Sequence, residues 1–171
     1  MTSSVAAQII EAMDAQTAAF EADVLAGLAQ PQKTLPCRWL YDDRGSDLFE
    51  KITQLPEYYP TRTETAILTD NALALARFCG TEAVILEYGA GASVKSQILL
   101  RALKQPRIYV PIDIAGDFLA ASAARLRKRL PSLEILPVAA DFTAPFELTD
   151  NVPANAPRTA LFLGSTIGNL S

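Results

Sequence analysis

Apolar residues recur along this chain in more than one rhythm, and the changes of rhythm divide it. Over 4–29, Val5, Ile9, Met13, Phe20, Val24 and Leu28 fall at helical spacing with acids between them, which predicts an amphipathic helix packed on the domain. Over 30–60 the rhythm is lost. Pro31, Pro36 and Pro56 interrupt a stretch rich in aromatics (Trp39, Tyr41, Phe49, Tyr58, Tyr59), with a short helix expected over 46–53. Pro60 precedes Thr61-Arg62-Thr63-Glu64, which has the form of a capping box: a hydroxyl to accept from the amide three residues on, and a glutamate to reach back. A helix over 62–78 should follow, closed by Gly80. Strands are then predicted over 83–88, 107–113, 133–139 and 159–164, with helices over 93–104 and 116–130. That alternation predicts an α/β fold built on a parallel sheet with flanking helices. The Pro- and Asn-rich segment 143–157 reads as a surface connection, and the domain boundary is expected between 80 and 81.

Composition narrows the function. Half of the 171 residues are hydrophobic, enough for one core, and the net charge of −4 offers no basic face to a nucleic acid. The longest charge-free stretch, 159–171, is shorter than the roughly 18 apolar residues a membrane helix needs. The N-terminal residues lack the basic region of a signal peptide, so a cytoplasmic protein is expected, with Cys37 and Cys79 as free thiols. Histidine is absent, which excludes a Ser-His-Asp or Cys-His nucleophile and His-ligated zinc. No metal is expected and no catalytic residue is assigned. Any chemistry must rest on carboxylates, hydroxyls, amides and a cofactor.

In an open parallel sheet, ligands lie beyond the carboxyl ends of the strands. The first such end reads LEYGAGASVKS, residues 86–96. A dinucleotide fingerprint would need a third glycine where Val94 stands. A phosphate-binding P-loop finds Lys95 and Ser96 in place, but Val94 opposes the loop's conformation and Glu87 would repel a triphosphate. S-adenosylmethionine, which has no phosphate, fits best. Gly89 and Gly91 offer bare backbone to its methionyl part. Glu87 suits the ammonium, directly or through water, and the helix N-terminus with Lys95 one turn in suits the carboxylate. Asp113, at the end of the second strand, suits the ribose hydroxyls. Asp141 suits the adenine amine and Phe142 the ring. Each also has a structural explanation, since Asp113 and Asp141 suit helix caps and Phe142 suits a core position.

The segments LPCRWLYDDRGSDLFEKITQLPEYYPTRTE, LEYGAGASVKSQILLRAL, YVPIDIA, ADF and LFLGSTIGNLS together resemble the histidine-specific Nα-methyltransferases of ergothioneine biosynthesis. The resemblance runs from about residue 20 to the end and covers the first half of a family member. It implies a Rossmann-like methyltransferase fold, with 1–80 as a helical extension carrying an aromatic, substrate-side loop. Residues 81–171 would be the first part of the S-adenosylmethionine-binding domain. It implies methylation of the α-amine of L-histidine, to hercynine. By motif, Gly89, Lys95, Asp113, Asp141 and Phe142 match cofactor contacts. Tyr58 and Asn169 match residues that contact the substrate amino group, and Tyr41 and Phe49 match aromatics lining the substrate pocket. Tyr88 and Ala90 stand where the family pattern has an apolar residue and a serine. Two other readings remain at this point: a truncated, non-catalytic S-adenosylmethionine-binding domain, and a degenerate P-loop nucleotide-binding protein. A sheet lacking its later strands would also expose an edge suited to self-association.

Overall fold

A computed structural model describes residues 17–148, 151–153, 155–164 and 166–169. The predicted helix before residue 17 lies outside the described residues. The chain divides into two compact units, one up to Leu40 and one from Tyr41. In the first, helix α1 covers 17–29 and a 3₁₀ turn covers Cys37–Leu40. Asp23 of α1 ties the two together, accepting from Arg38 Nη2 at 2.7 Å and from Trp39 Nε1 at 2.8 Å. The Trp39 indole meets the Phe20 ring edge-on at 5.2 Å between centroids.

The second unit runs α2 (Asp43–Ile52), α3 (Pro60–Cys79), β1 (Val84–Tyr88), α4 (Ser96–Ala102), β2 (Ile108–Asp113) and α5 (Gly116–Arg129). It continues with β3 (Glu134–Ile135), β4 (Val138–Ala139), β5 (Arg158–Leu161) and a 3₁₀ turn over Thr166–Asn169. This unit includes α3, which packs along α4. The sheet is parallel throughout, in the order β3-β2-β1-β5 with β4 also on β2. It is the parallel α/β arrangement that the alternation predicts, and it fits the Rossmann-like fold that the resemblance implies. Among the described residues no helix is long and apolar enough to cross a membrane.

Strands β1 and β2 are mostly apolar because both of their faces are covered. Ile85 and Tyr109 point to one face, with Cys79 of α3, Leu99 and Leu100 of α4, and Ala123 and Leu126 of α5. Val84, Leu86, Ile108, Val110 and Ile112 point to the other. The segment expected as a surface connection in fact covers that second face: Val152 is buried there, and Phe146, Leu148 and Ala156 pack beside it. Among the described residues no helix covers this side, so the connection supplies the apolar atoms.

Three local expectations change. Asp42 accepts from the Gly45 amide at 2.7 Å, so α2 starts before 46. Helix α3 starts at Pro60, whose fixed φ and missing N–H suit a first turn. Thr61 therefore lies inside the helix and no capping box forms. The third predicted strand splits into β3 and β4, since Pro137 has no amide to give the ladder.

Candidate functional site

The carboxyl ends of β1, β2, β4 and β5 share one edge because the strands are parallel. There the chain turns sharply after β1. Gly89 and Gly91 take φ of +68° and +50°, which glycine adopts at little cost. The amides of Gly89 and Ala90 both donate to the carbonyl of Ile112, at 2.9 and 3.1 Å. Asp113 completes the hold. Its Oδ2 accepts from the Gly91 amide at 2.8 Å and its Oδ1 from the Ala115 amide at 3.1 Å. One carboxylate thus pins both the β1–α4 turn and the β2–α5 turn.

Glu87 is placed inward. It is only 3% exposed, and its Oε2 accepts from the hydroxyls of Ser96 and Tyr109. The Ser93 hydroxyl lies 3.0 Å from the same phenol oxygen. Burial pushes the Glu87 carboxyl up to about 7, against the lowering effect of the Ser96 and Tyr109 hydroxyls. The Tyr109 phenol is likewise raised by burial and by the neighbouring Glu87. Glu87 is thus an interior support of the turn, and the expected direct contact with a ligand ammonium is not presented at the edge.

Lys95 precedes α4, which begins only at Ser96, so it is not one turn in. Residues 91, 92, 94 and 95 form turns around Ser93, which has φ +52° and its amide on the Ala90 carbonyl at 2.9 Å. The Lys95 ammonium meets Glu64 Oε2 at 2.5 Å, and Glu64 Oε1 accepts from the Gly164 amide at 2.7 Å. The turn after β5 also leans on the glycine loop: a Cβ on Gly89 would sit 3.1 Å from Thr166 Cγ2.

Asp141 Oδ1 accepts from the amide and hydroxyl of Thr143, at 2.9 and 2.5 Å, which fixes the turn after β4. Phe142 joins an aromatic cluster, its ring 5.8 Å from Tyr88 and 5.7 Å from Phe162 between centroids, both edge-on. It is half-buried, with Val138 and Phe146 beside it on the second sheet face.

The aromatic residues expected on the substrate side come together. Phe49 of α2 lies 6.1 Å from Tyr41 and 5.9 Å from Tyr58, edge-on to both. Arg62 secures the loop bearing Tyr58, donating to the carbonyls of Leu55, Pro56 and Tyr58 at 2.8, 2.5 and 3.3 Å. Tyr58 lies two residues before Pro60, the first residue of α3, the helix that also carries Glu64. Asn169 closes the 3₁₀ turn; its side chain lies outside the described residues, as does Ser165. A cleft of about 300 Å³ opens behind the glycine loop, between α2, α4 and α5, with Ala92, Val94, Phe118 and Arg125 in its walls. It includes none of Gly89, Asp113 and Asp141, so it is separate from the strand-end edge.

Sequence reasoning missed Glu64, Tyr109, Ser96 and Thr166. Glu64 carried a signal, a carboxylate at a fixed distance from a proline-started helix, but it was read as a cap.

The family described as histidine-specific, SAM-dependent methyltransferase matches residues 20–171. The chain is 40% identical over 161 residues to a histidine N-alpha-methyltransferase of Mycobacterium tuberculosis, covering 92% of this chain and 49% of that protein. It is 39% identical over 163 residues to the protein of that name from Mycolicibacterium smegmatis, covering 94% and 50%. An ergothioneine biosynthesis protein 1 of Neurospora crassa is 34% identical over 144 residues, covering 81% and 16%. The chain therefore spans about half the length of the mycobacterial relatives it matches.

Proposed function

The chain belongs to the histidine-specific, S-adenosylmethionine-dependent methyltransferases, and from that premise we propose that it serves methyl transfer from S-adenosylmethionine to the α-amine of L-histidine, giving hercynine. The observation that carries the reading is the Asp113-pinned glycine turn. A Cβ on Gly91 would meet nothing within 4 Å, so bare backbone faces open space there. The Asp113 carboxylate has about four acceptor positions and the two amides use two. Two remain for a diol such as ribose. The edge is acidic, which suits a ligand without phosphate.

S-adenosylmethionine supplies a methyl group already activated on a sulfonium. The protein's work is to bind and aim. Asp113 takes the ribose, Gly89 and Gly91 leave room for the methionyl part, and Lys95 takes its carboxylate. Asp141 and Phe142 take the adenine amine and ring. Tyr58 and Asn169 aim the substrate nitrogen, as uncharged acceptors that do not hold it as ammonium. Tyr41 and Phe49 wall the substrate pocket around Tyr58. Orientation of this kind contributes several kcal/mol, up to about 7–11 in favourable systems. The buried thiol of Cys79, outside any disulfide, suits a reducing cytoplasm.

The test is to incubate the protein with S-adenosylmethionine and L-histidine and follow methylated histidine by mass spectrometry. Product is expected, and Asp113→Ala should abolish it. Binding of S-adenosylmethionine by calorimetry with no methylated product would replace this reading with that of a non-catalytic binding domain.

A further inference from the structure

Glu64 joins three segments that are distant in the chain. It sits in the first turns of α3, takes the Lys95 ammonium 31 residues on, and takes the Gly164 amide 100 residues on. Neither contact is needed to start α3, which Pro60 begins. Both carboxylate oxygens are engaged by charge-assisted or backbone donors, and the pair is only partly exposed, 21% at Lys95 and 26% at Glu64. The ammonium also lies against bare backbone: a Cβ on Gly164, at φ +76°, would sit 3.0 Å from Lys95 Nζ. A lysine head is a point charge on a flexible four-carbon stem and does not hold one place unaided. Here it is fixed between a carboxylate and a glycine.

We propose that Glu64 is a positioning residue, which sets the Lys95 ammonium and the turn after β5 so that Lys95 meets the carboxylate at the amino-acid end of the cofactor. This rests on the cofactor reading above and adds to it the residue through which Lys95 acts. Glu64 itself does not touch the ligand. Gln in its place has one acceptor oxygen, so it can satisfy Lys95 or Gly164 and turns an N–H donor toward the other. Asp keeps the charge but is one methylene too short to span both.

Calorimetric titration of the protein with S-adenosylmethionine and with 5′-methylthioadenosine, which lacks the amino-acid end, tests this. Glu64→Gln should weaken S-adenosylmethionine binding about tenfold and leave 5′-methylthioadenosine binding unchanged. Lys95→Met should have the same selective effect, and the double variant should lose no more than Lys95→Met alone. Should Glu64→Gln fail to fold, Glu64→Asp is expected to give the same ligand-selective loss. Equal weakening for both ligands, additive losses, or tighter binding through a freed Lys95 would each overturn the role of Glu64 while leaving the cofactor reading in place. If the wild-type protein binds neither ligand, the cofactor reading falls and this inference with it.

Discussion

Tyr109 hydrogen-bonds Glu87 in the interior of the sheet, with the two side chains 0% and 3% exposed. They lie on the same face, on adjacent strands, and Ser96 and Ser93 complete the cluster beneath the glycine turn. A carboxyl held near 7 when folded and near 4.5 when unfolded binds its proton more tightly in the native state. Its contribution to stability is therefore fully present below about 4.5 and is lost as pH rises through 7, a change of roughly 3 kcal/mol. Glu87→Gln removes the group. Urea unfolding at pH 5, 6, 7 and 8 should show the variant gaining on the wild type as pH rises. A difference that stays constant over this range would mean that Glu87 does not titrate there.

Gly89 and Gly91 separate backbone strain from ligand space. Both have positive φ, so alanine at either costs about 1–2 kcal/mol of stability. At Gly89 the added methyl also presses on Thr166 at 3.1 Å, whereas at Gly91 it meets nothing. Gly89→Ala should therefore have the lower melting temperature. Gly91→Ala should be the milder for folding, yet it should bind S-adenosylmethionine at least about tenfold more weakly, because its methyl enters the open space. Normal affinity in Gly91→Ala would place the ligand elsewhere.

The order and type of most elements were legible because two-sided burial writes itself into strands as unbroken apolar runs. What hid was the direction of polar side chains within them. Val84 and Leu86 pack with Tyr88 on one face, so Ile85 and Glu87 belong to the other. That alternation turns Glu87 inward, toward Tyr109. Tyr109 itself stood in an apolar run, where an aromatic ring looks like core and its hydroxyl goes unnoticed. Pro137 went unweighed within the strand expected over 133–139; it divides the ladder without ending it, since Leu136 still donates to the Tyr109 carbonyl at 2.9 Å. Glu64 was misassigned because a Thr-x-x-Glu pattern is the same whether the threonine caps a helix or already lies within it. Only the position of Pro60 at the first helical residue decides.

Asp113 pins two turns and, in the proposed reading, also takes the ribose, and one substitution tests both. Asp113→Asn keeps the shape but turns an N–H₂ toward an amide that had been accepted, at Gly91 or at Ala115. The stability cost is expected at about 1–3 kcal/mol, as for a part-buried donor left unpaired. S-adenosylmethionine affinity should fall about tenfold or more, since one acceptor for the ribose is lost with the loop's pin. Denaturant unfolding and calorimetry read the two effects separately. An unfolding loss with unchanged affinity would restrict Asp113 to a structural role.

The aromatic group around Phe49 divides into packing and chemistry. Phe49 meets both Tyr41 and Tyr58 through ring edges, and Arg62 fixes the backbone of the Tyr58 loop independently. Phe49→Ala opens a gap between two rings that the loop anchor does not fill. It should raise KM for L-histidine while leaving S-adenosylmethionine affinity unchanged, because Asp113 and the glycine turn are untouched. Tyr58→Phe keeps the ring contact with Phe49 and removes only the hydroxyl, so its melting temperature should match the wild type. Its kcat should drop by about tenfold or more, the worth of one well-placed hydrogen bond that aims the nitrogen. Full turnover in Tyr58→Phe would remove that hydroxyl from the site, and a parallel loss of stability would assign the ring to packing instead.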